Sequence, residues 1–266
     1  MFGFNRNTLD ITNSKNVLSV LAKIKPNYLV NCAGWTNVDS AEEFPNEARL
    51  VNAESLKGIT KACSELSIKL IHISSDYVFS GETTAPYAIN SPRHPVNVYG
   101  ESKLSAEMII EQKTDLNYWI LRTSWLYGNS SSDFLSKIIS KYFYSKSSIT
   151  VVEDQIGHPT YVKDLAEKIL EVIDIEPEYG IYHASNSGYT SWFNFAQQAI
   201  GLLNLDPARL SKITSVDLKS TISRPQTVIL DLSKWQSVDL LPMRNWEDAL
   251  MDCLKRGDSN YKNYTA

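Results

Sequence analysis

Three runs of consecutive strand-forming residues constrain this chain most: "YLVNCA" (28–33), "KLIHISS" (69–75) and "YWILRTS" (118–124). A strand with one wet face alternates polar and apolar residues. These runs instead stay largely apolar on both sides, as parallel strands covered by helices on both faces do. Between the first two, residues 47–66 place Ala48, Val51, Leu56, Ile59 and Ala62 at helical spacing. A second helical pattern begins near Asn97 and a third covers roughly 132–144. The alternation predicts an α/β fold with an open, doubly wound parallel sheet. Right-handed crossovers then bring every strand C-terminus, and with them any ligand, to one edge.

Beyond about residue 145 the pattern shortens. "SITVVEDQIGHPTYVKDLAEKILEVI" reads as a short strand, a Gly-Pro connection and a helix. "GIYHASN" followed by "TSWFNFAQQAIGLL" repeats strand then helix, and "SRPQTVILDLSKW" precedes a last amphipathic segment. This half is expected to form a smaller, mixed α/β lobe packed on the strand ends. The closing "RGDSNYKNYTA" has no periodicity and is expected to fray.

Charge narrows the possible partners. A net charge of −4 offers no electrostatic footprint for nucleic acid or an anionic membrane surface. No apolar run approaches a membrane span, and no secretory signal pattern opens the sequence. Cys32, Cys63 and Cys253 are odd in number and far apart, so they read as reduced, buried thiols of a cytoplasmic protein. His72, His94, His158 and His183 share no metal-ligand spacing, and no metal is expected.

The chemistry gathers where the strands end. "SSDYVF" puts Ser74, Ser75 and Asp76 at one strand C-terminus, and "TSWLYG" puts Ser124 and Trp125 at another. In "NVYGESKLSAE", Tyr99, Lys103, Ala106 and Ile110 share one helical face, apolar below and polar above. A phenol and an ammonium facing a core need polar company, and a crevice at the strand edge provides it. An ammonium stabilises phenolate, so Lys103 is expected to lower the proton affinity of Tyr99 and make it a donor near neutral pH. Asp39, Glu42 and Glu43 of "DSAEE" read as charges complementing a helix N-terminus. Asp10, in "LDITNS", can equally be a helix N-cap.

Tyr-x-x-x-Lys after an upstream serine resembles the extended short-chain dehydrogenases/reductases. "VNCAGWTNVDSAEEFPNEARLVN", "ISSDYVFSG", "PVNVYGESKLSAE", "ILRTSWLYG", "VVEDQIGHPTYVKDLA" and "SRPQTVILDLSKW" resemble, in order, segments of the dTDP-4-dehydrorhamnose reductase family. The resemblance implies NADPH- or NADH-dependent reduction of the 4-keto group of a nucleotide sugar, feeding polysaccharide biosynthesis. It implies Tyr99 as general acid, Lys103 on the nicotinamide ribose, and Ser75 (where the family usually has threonine) on the substrate oxygen. Asp76, Trp125 and Arg224 would contact the substrate, Arg224 at its diphosphate through charge-assisted hydrogen bonds. Gly34, Trp35 and Thr36 match the cofactor-contacting turn, and Asp10 and Ile11 the pair beside the adenine. The related 4,6-dehydratases carry an Asp-Glu pair after the strand hydroxyl, whereas here Asp76 is followed by Tyr77, which favours plain ketone reduction. The implied partners are a nucleotide sugar and, compatibly, a second copy of the chain as a homodimer.

Dinucleotide-binding folds ordinarily open with a strand, a Gly-rich turn and a helix N-terminus that meets the pyrophosphate. Here Gly3 is followed by no glycine before Gly34, and no β run precedes it. Aligned on "LDIT", the resemblance implies that the first β-α-β unit, about 30 residues in such folds, lies upstream of Met1 or does not exist. The expected organisation is a Rossmann-like domain lacking that unit over 1–145, a substrate lobe over 146–255 from which some segments return to the first domain, and a tail over 256–266. Exposed strand edges and weak NAD(P)H binding by this chain follow as expectations. Two other readings stay open: a catalytically inactive, truncated homologue acting as a binding or regulatory subunit, and an incomplete reading of an active reductase.

Overall fold

A computed structural model describes residues 1–128, 133–218 and 222–256; the tail expected to fray falls outside the described residues from 257 onward. The chain enters through α1 (Ser14–Ile24) and β1 (Tyr28–Asn31). The short helices α2 (Val38–Glu43) and α3 (Pro45–Arg49) follow, then α4 (Ser55–Leu66), β2 (Lys69–Ser75), α5 (Val98–Glu111) and β3 (Tyr118–Thr123). β1, β2, β3 and a later strand form one parallel sheet in that order.

Alternate residues of the strands feed two cores. Leu70 and Ile120 point with α1, α4 and α5 into a cluster built on Val17, Leu21, Leu56, Ile59 and Ile110. Ile71, Trp119, Leu121 and Tyr182 point the other way, into a cluster with Leu165, Val172 and Trp235. Helices therefore cover both faces, the arrangement expected from runs with no polar side. β1 has a strand neighbour on one side only among the described residues, and Tyr28, Leu29 and Val30 are only half-buried. Its pairing stops at Asn31, two residues short of the apolar run.

The later half supplies β4 (Leu126–Tyr127), α6 (Phe134–Tyr144), β5 (Ile149–Val152), β6 (Ile156–Gly157), β7 (Thr160–Tyr161) and α7 (Val162–Ile175). Then come β8 (Gly180–His183), β9 (Asn186–Ser187), β10 (Thr190–Ser191), α8 (Trp192–Leu202), β11 (Leu210–Ile213), β12 (Met243–Asn245) and α9 (Trp246–Arg256). β8 is the fourth strand of the parallel sheet, with Trp119 opposite Gly180 and Arg122 opposite His183, and α7 packs on that sheet's second core. Two further cores join α6, α8 and α9 with β5 and β11. No helix of the described residues is long and apolar enough to cross a membrane.

Candidate active site

Two side chains and a glycine fix the start of α5. Asn97 caps the helix, its Oδ1 accepting Gly100 N–H at 2.8 Å while its Nδ2 donates to Ser223 O at 2.9 Å. Glu42 Oε1 accepts the Val98 N–H at 2.8 Å. Glu42 thus serves a helix N-terminus, but that of α5; in its own six-residue helix only Asp39 lies in the first turn. Gly100 lets the two backbones touch, since a Cβ there would sit 2.3 Å from Tyr77 O. The stripe reads as the sequence foretold: Tyr99 is half-buried, Lys103 is 5% exposed, and Ala106 and Ile110 are fully covered.

At the top of that stripe Ser75 and Asp76 stand beside Tyr99, with Lys103 one turn along α5. The Ser75 hydroxyl donates to Asp76 Oδ1 at 3.1 Å, accepts Tyr77 N–H at 3.2 Å, and lies near enough to the Tyr99 phenol to favour its ionised form. Tyr77 packs edge-on against Tyr99 with ring centroids 5.3 Å apart. Burial holds the Asp76 carboxyl up at about 7, although hydrogen bonds from Ser75 and Tyr77 oppose it. Lys103 is brought down to about 8 by burial, against the supporting charge of Glu107, and its Nζ donates to Ile73 O at 2.6 Å.

One expectation is overturned. Tyr99 is not lowered by Lys103; burial pushes it up to about 12, with only the Ser75 hydrogen bond pulling down. The ammonium is committed to a strand carbonyl, and desolvation of the phenolate outweighs the remaining help.

The turn after β1 adjoins the same helix. Trp35 N–H donates to Asn52 Oδ1 at 2.6 Å, and Asn52 Nδ2 donates to Trp35 O at 3.0 Å and to Ser102 Oγ at 2.9 Å. Asn52 can do this because residues Leu50–Glu54 form one wide helical turn between α3 and α4, which turns its side chain inward. Cys32, Ala33, Gly34 and Thr36 are exposed around that turn. An exposed strand-end turn fixed to the residue before Lys103 fits the ribose–nicotinamide end of a dinucleotide. Asn52 escaped the sequence reading, although an asparagine inside a helical apolar pattern is a signal.

The other predicted residues divide. Trp125 sits at the end of β3 with a left-handed φ of 42°, stacked on Trp192 at 3.6 Å and laid over Gly157, whose Cβ would collide with it. Such strain in a non-glycine residue is typical of functional sites. Arg224 reaches the same region, since its charge acts on Tyr77, and it is ion-paired with Asp39. Asp10 and Ile11 stay apart from this constellation. Asp10 accepts from Thr12 N–H and Oγ1 at 2.9 and 2.8 Å, and Ile11 packs on the first core. Asp10 is not the helix cap either, because Asn13 holds that position. Ser124, buried, donates to His158 O at 2.7 Å. Cys63 and Cys253 are buried, but Cys32 is exposed where β1 leaves the sheet, correcting the expectation of three buried thiols.

Comparison with known proteins identifies the family. Residues 1–259 match the family model described as RmlD substrate binding domain. A dTDP-4-dehydrorhamnose reductase of Streptomyces griseus is 38% identical over 252 residues, 93% of this chain and 82% of its own length. The crystal structure of a dTDP-4-dehydrorhamnose reductase from Bacillus anthracis in complex with NADP superposes with a TM-score of 0.90 at 33% identity, covering 96% of this chain and 89% of that one. A dTDP-glucose 4,6-dehydratase of Streptomyces venezuelae shares the fold, with a TM-score of 0.80 at 15% identity over 96% of this chain and 80% of that one. With identity at the first of these levels sustained over more than nine-tenths of its length, the chain belongs to the dTDP-4-dehydrorhamnose reductase family.

Proposed function

We propose that this protein reduces the 4-keto group of a dTDP-linked 6-deoxy sugar, dTDP-4-dehydrorhamnose or a close relative, with Tyr99 as general acid and NADPH as reductant. The observation that carries the reading is the Tyr99 phenol beside the Ser75–Tyr77 strand end, where Tyr77 packs against its ring, one helical turn above a buried Lys103. NADPH, once bound, supplies the hydride. Ser75 holds the ketone oxygen by a hydrogen bond, and Tyr99 passes its proton to that oxygen. Tyr99 keeps its proton throughout the neutral range, so the donor form is always loaded. Lys103 orients the ribose hydroxyls. The turn Gly34–Trp35–Thr36 and the pair Asp10 and Ile11 complete the cofactor contacts. Asp76 and Trp125 face the sugar, and Arg224 meets the diphosphate. Tyr77 stands where a dehydratase needs a second acid, which supports reduction without elimination.

Tyr99→Phe tests the reading because it keeps the ring and its packing but removes the transferable proton. General acid catalysis contributes about 10²–10⁴-fold, so kcat for a dTDP-4-keto sugar with NADPH should fall by that order while KM barely moves. A fall of less than about tenfold assigns the proton to another group and overturns the role of Tyr99.

A further inference from the structure

Beneath the reaction site lies a buried charge cluster that the chemistry above leaves unused. Glu107 follows Lys103 by one turn on α5 and is fully buried. Arg122 of β3, equally buried, grips it twice, Nε to Oε1 at 2.9 Å and Nη2 to Oε2 at 2.8 Å. Arg93, from the loop before α5, donates to Glu107 Oε2 at 3.0 Å and to Glu111 Oε2 at 2.7 Å. Ser74 Oγ donates to Glu107 Oε1 at 2.6 Å. Arg122 Nη1 donates to Ile89 O at 2.9 Å and lies 3.4 Å from His183 Nε2, which burial keeps neutral.

A buried ion pair is seldom more stabilising than a well-packed apolar pair, so stability alone does not account for this one. Its connections do. Ser74 precedes Ser75, Arg122 lies three residues before Trp125 on the same strand end, and Glu107 lies one turn from Lys103. One carboxylate thereby joins the three elements whose tips form the site. It also faces the ammonium: around Lys103 stand Glu107 and Tyr99 on α5, Cys32 after β1 and His72 on β2. Cys32 is a thiol whose proton affinity is already above the neutral range and is raised further, and His72 is held neutral by burial, which leaves Glu107 as the anion among these groups.

We propose that Glu107 is the positioning residue of this site: through Arg122, Arg93 and Ser74 it locks the Lys103 turn of α5 to the ends of β2 and β3, and it keeps the Lys103 ammonium charged. Only the kinetic part of the test rests on the reductase reading.

The full chain is labelled with ¹³C,¹⁵N-lysine and the Lys103 ammonium is titrated by NMR, its signal assigned by its loss in Lys103→Arg. Removing a charge this close shifts a neighbour's titration by about one pH unit, so Glu107→Gln should move the Lys103 midpoint to lower pH, while Glu107→Asp keeps it. If Glu107→Gln alone fails to fold around an uncompensated Arg122, the double variant Glu107→Gln/Arg122→Gln is compared with Arg122→Gln, so that only the carboxylate differs. An unshifted midpoint in a folded variant overturns the electrostatic part. In kinetics, Glu107→Gln should lower kcat by about 10–100-fold, the scale of a misplaced reacting group, with KM unchanged and the alkaline limb moved to lower pH. Ser74→Ala keeps every charge and severs only the link to β2; it should lower kcat with KM and melting temperature held. Wild-type kcat in Ser74→Ala overturns the positioning part. A wild-type chain that turns over no 4-keto nucleotide sugar sinks the reductase reading instead, and the NMR midpoint still decides whether Glu107 governs Lys103.

Discussion

Arg224 and Asp39 stand 185 positions apart in sequence and form an ion pair in the fold. Asp39 is largely exposed, and exposed pairs contribute only about 0.2–1 kcal/mol, so a diphosphate bearing two charges can draw the guanidinium away. A guanidinium meets two phosphate oxygens at once, which an ammonium does less well. Arg224→Lys should therefore raise KM for the sugar nucleotide while kcat moves much less, the pattern of a contact equal in ground and transition states. Asp39→Asn should lower KM by releasing the same side chain. If Arg224 only braces the fold, the melting temperature of Arg224→Lys drops without ligand and KM stays put, which removes the residue from the substrate site.

α5 carries both members of the tyrosine–lysine pair, and its placement depends on a glycine. Gly100 lies against Tyr77 O, and a Cβ there would be 2.3 Å from that oxygen and 2.9 Å from Pro95 Cβ. Gly100→Ala must therefore move either the helix start or the Asp76–Val78 turn. Overpacking of this kind costs about 1–3 kcal/mol, so thermal unfolding should show a clear loss of stability. Since Tyr99 adjoins the displaced atom, kcat should fall as well; an alanine variant with wild-type melting and turnover would show that the helix start is not fixed by this contact. The wide turn at Leu50–Glu54 works in the same way at the other side of the cleft, aiming Asn52 at the strand-end turn. Helical periodicity revealed a helix over 47–66, but not that one turn of it is wide. That depends on Asn52 finding Trp35 and Ser102, which no local pattern encodes.

Across the whole molecule, buried histidines set the response to acid. His158 donates from Nδ1 to Asn186 O and accepts Leu230 N–H at Nε2, so its neutral form is fully bonded, and burial takes it down to about 4. His183 is taken down to about 3, mainly by burial and then by the charge of Arg122, and His72 is also held well below its ordinary value by burial. Unfolded, all three protonate near pH 6.5. As pH falls below about 6.5 the unfolded chain therefore binds protons on these three histidines that the folded chain takes up only at lower pH. Asp76 acts oppositely, since its raised affinity lets the folded chain bind one proton that the unfolded chain lacks over much of that range. The histidines outnumber it, so stability is complete above about pH 6.5 and falls as pH drops, by about 1.4 kcal/mol per pH unit for each net proton. Melting temperatures across pH 7 to 4.5 should show this slope, and His158→Gln should flatten it. A melting temperature constant across that range would contradict the account.

The sequence by itself determined what short-range physics controls. Apolar runs fixed which segments are strands, helical spacing put Tyr99 and Lys103 on one face, and the six ordered motifs marked the family. Strand polarity placed Ser75, Asp76 and Trp125 at one edge. Only the tertiary structure decided what those groups do to one another. It gave Lys103 to Ile73 O, raised Tyr99 by burial, left Cys32 exposed, inserted β8 beside β3, and set Glu107 between two arginines. The reason is that proton affinity and ion pairing depend on desolvation and on which distant segments meet, and neither has a period that a single chain can display.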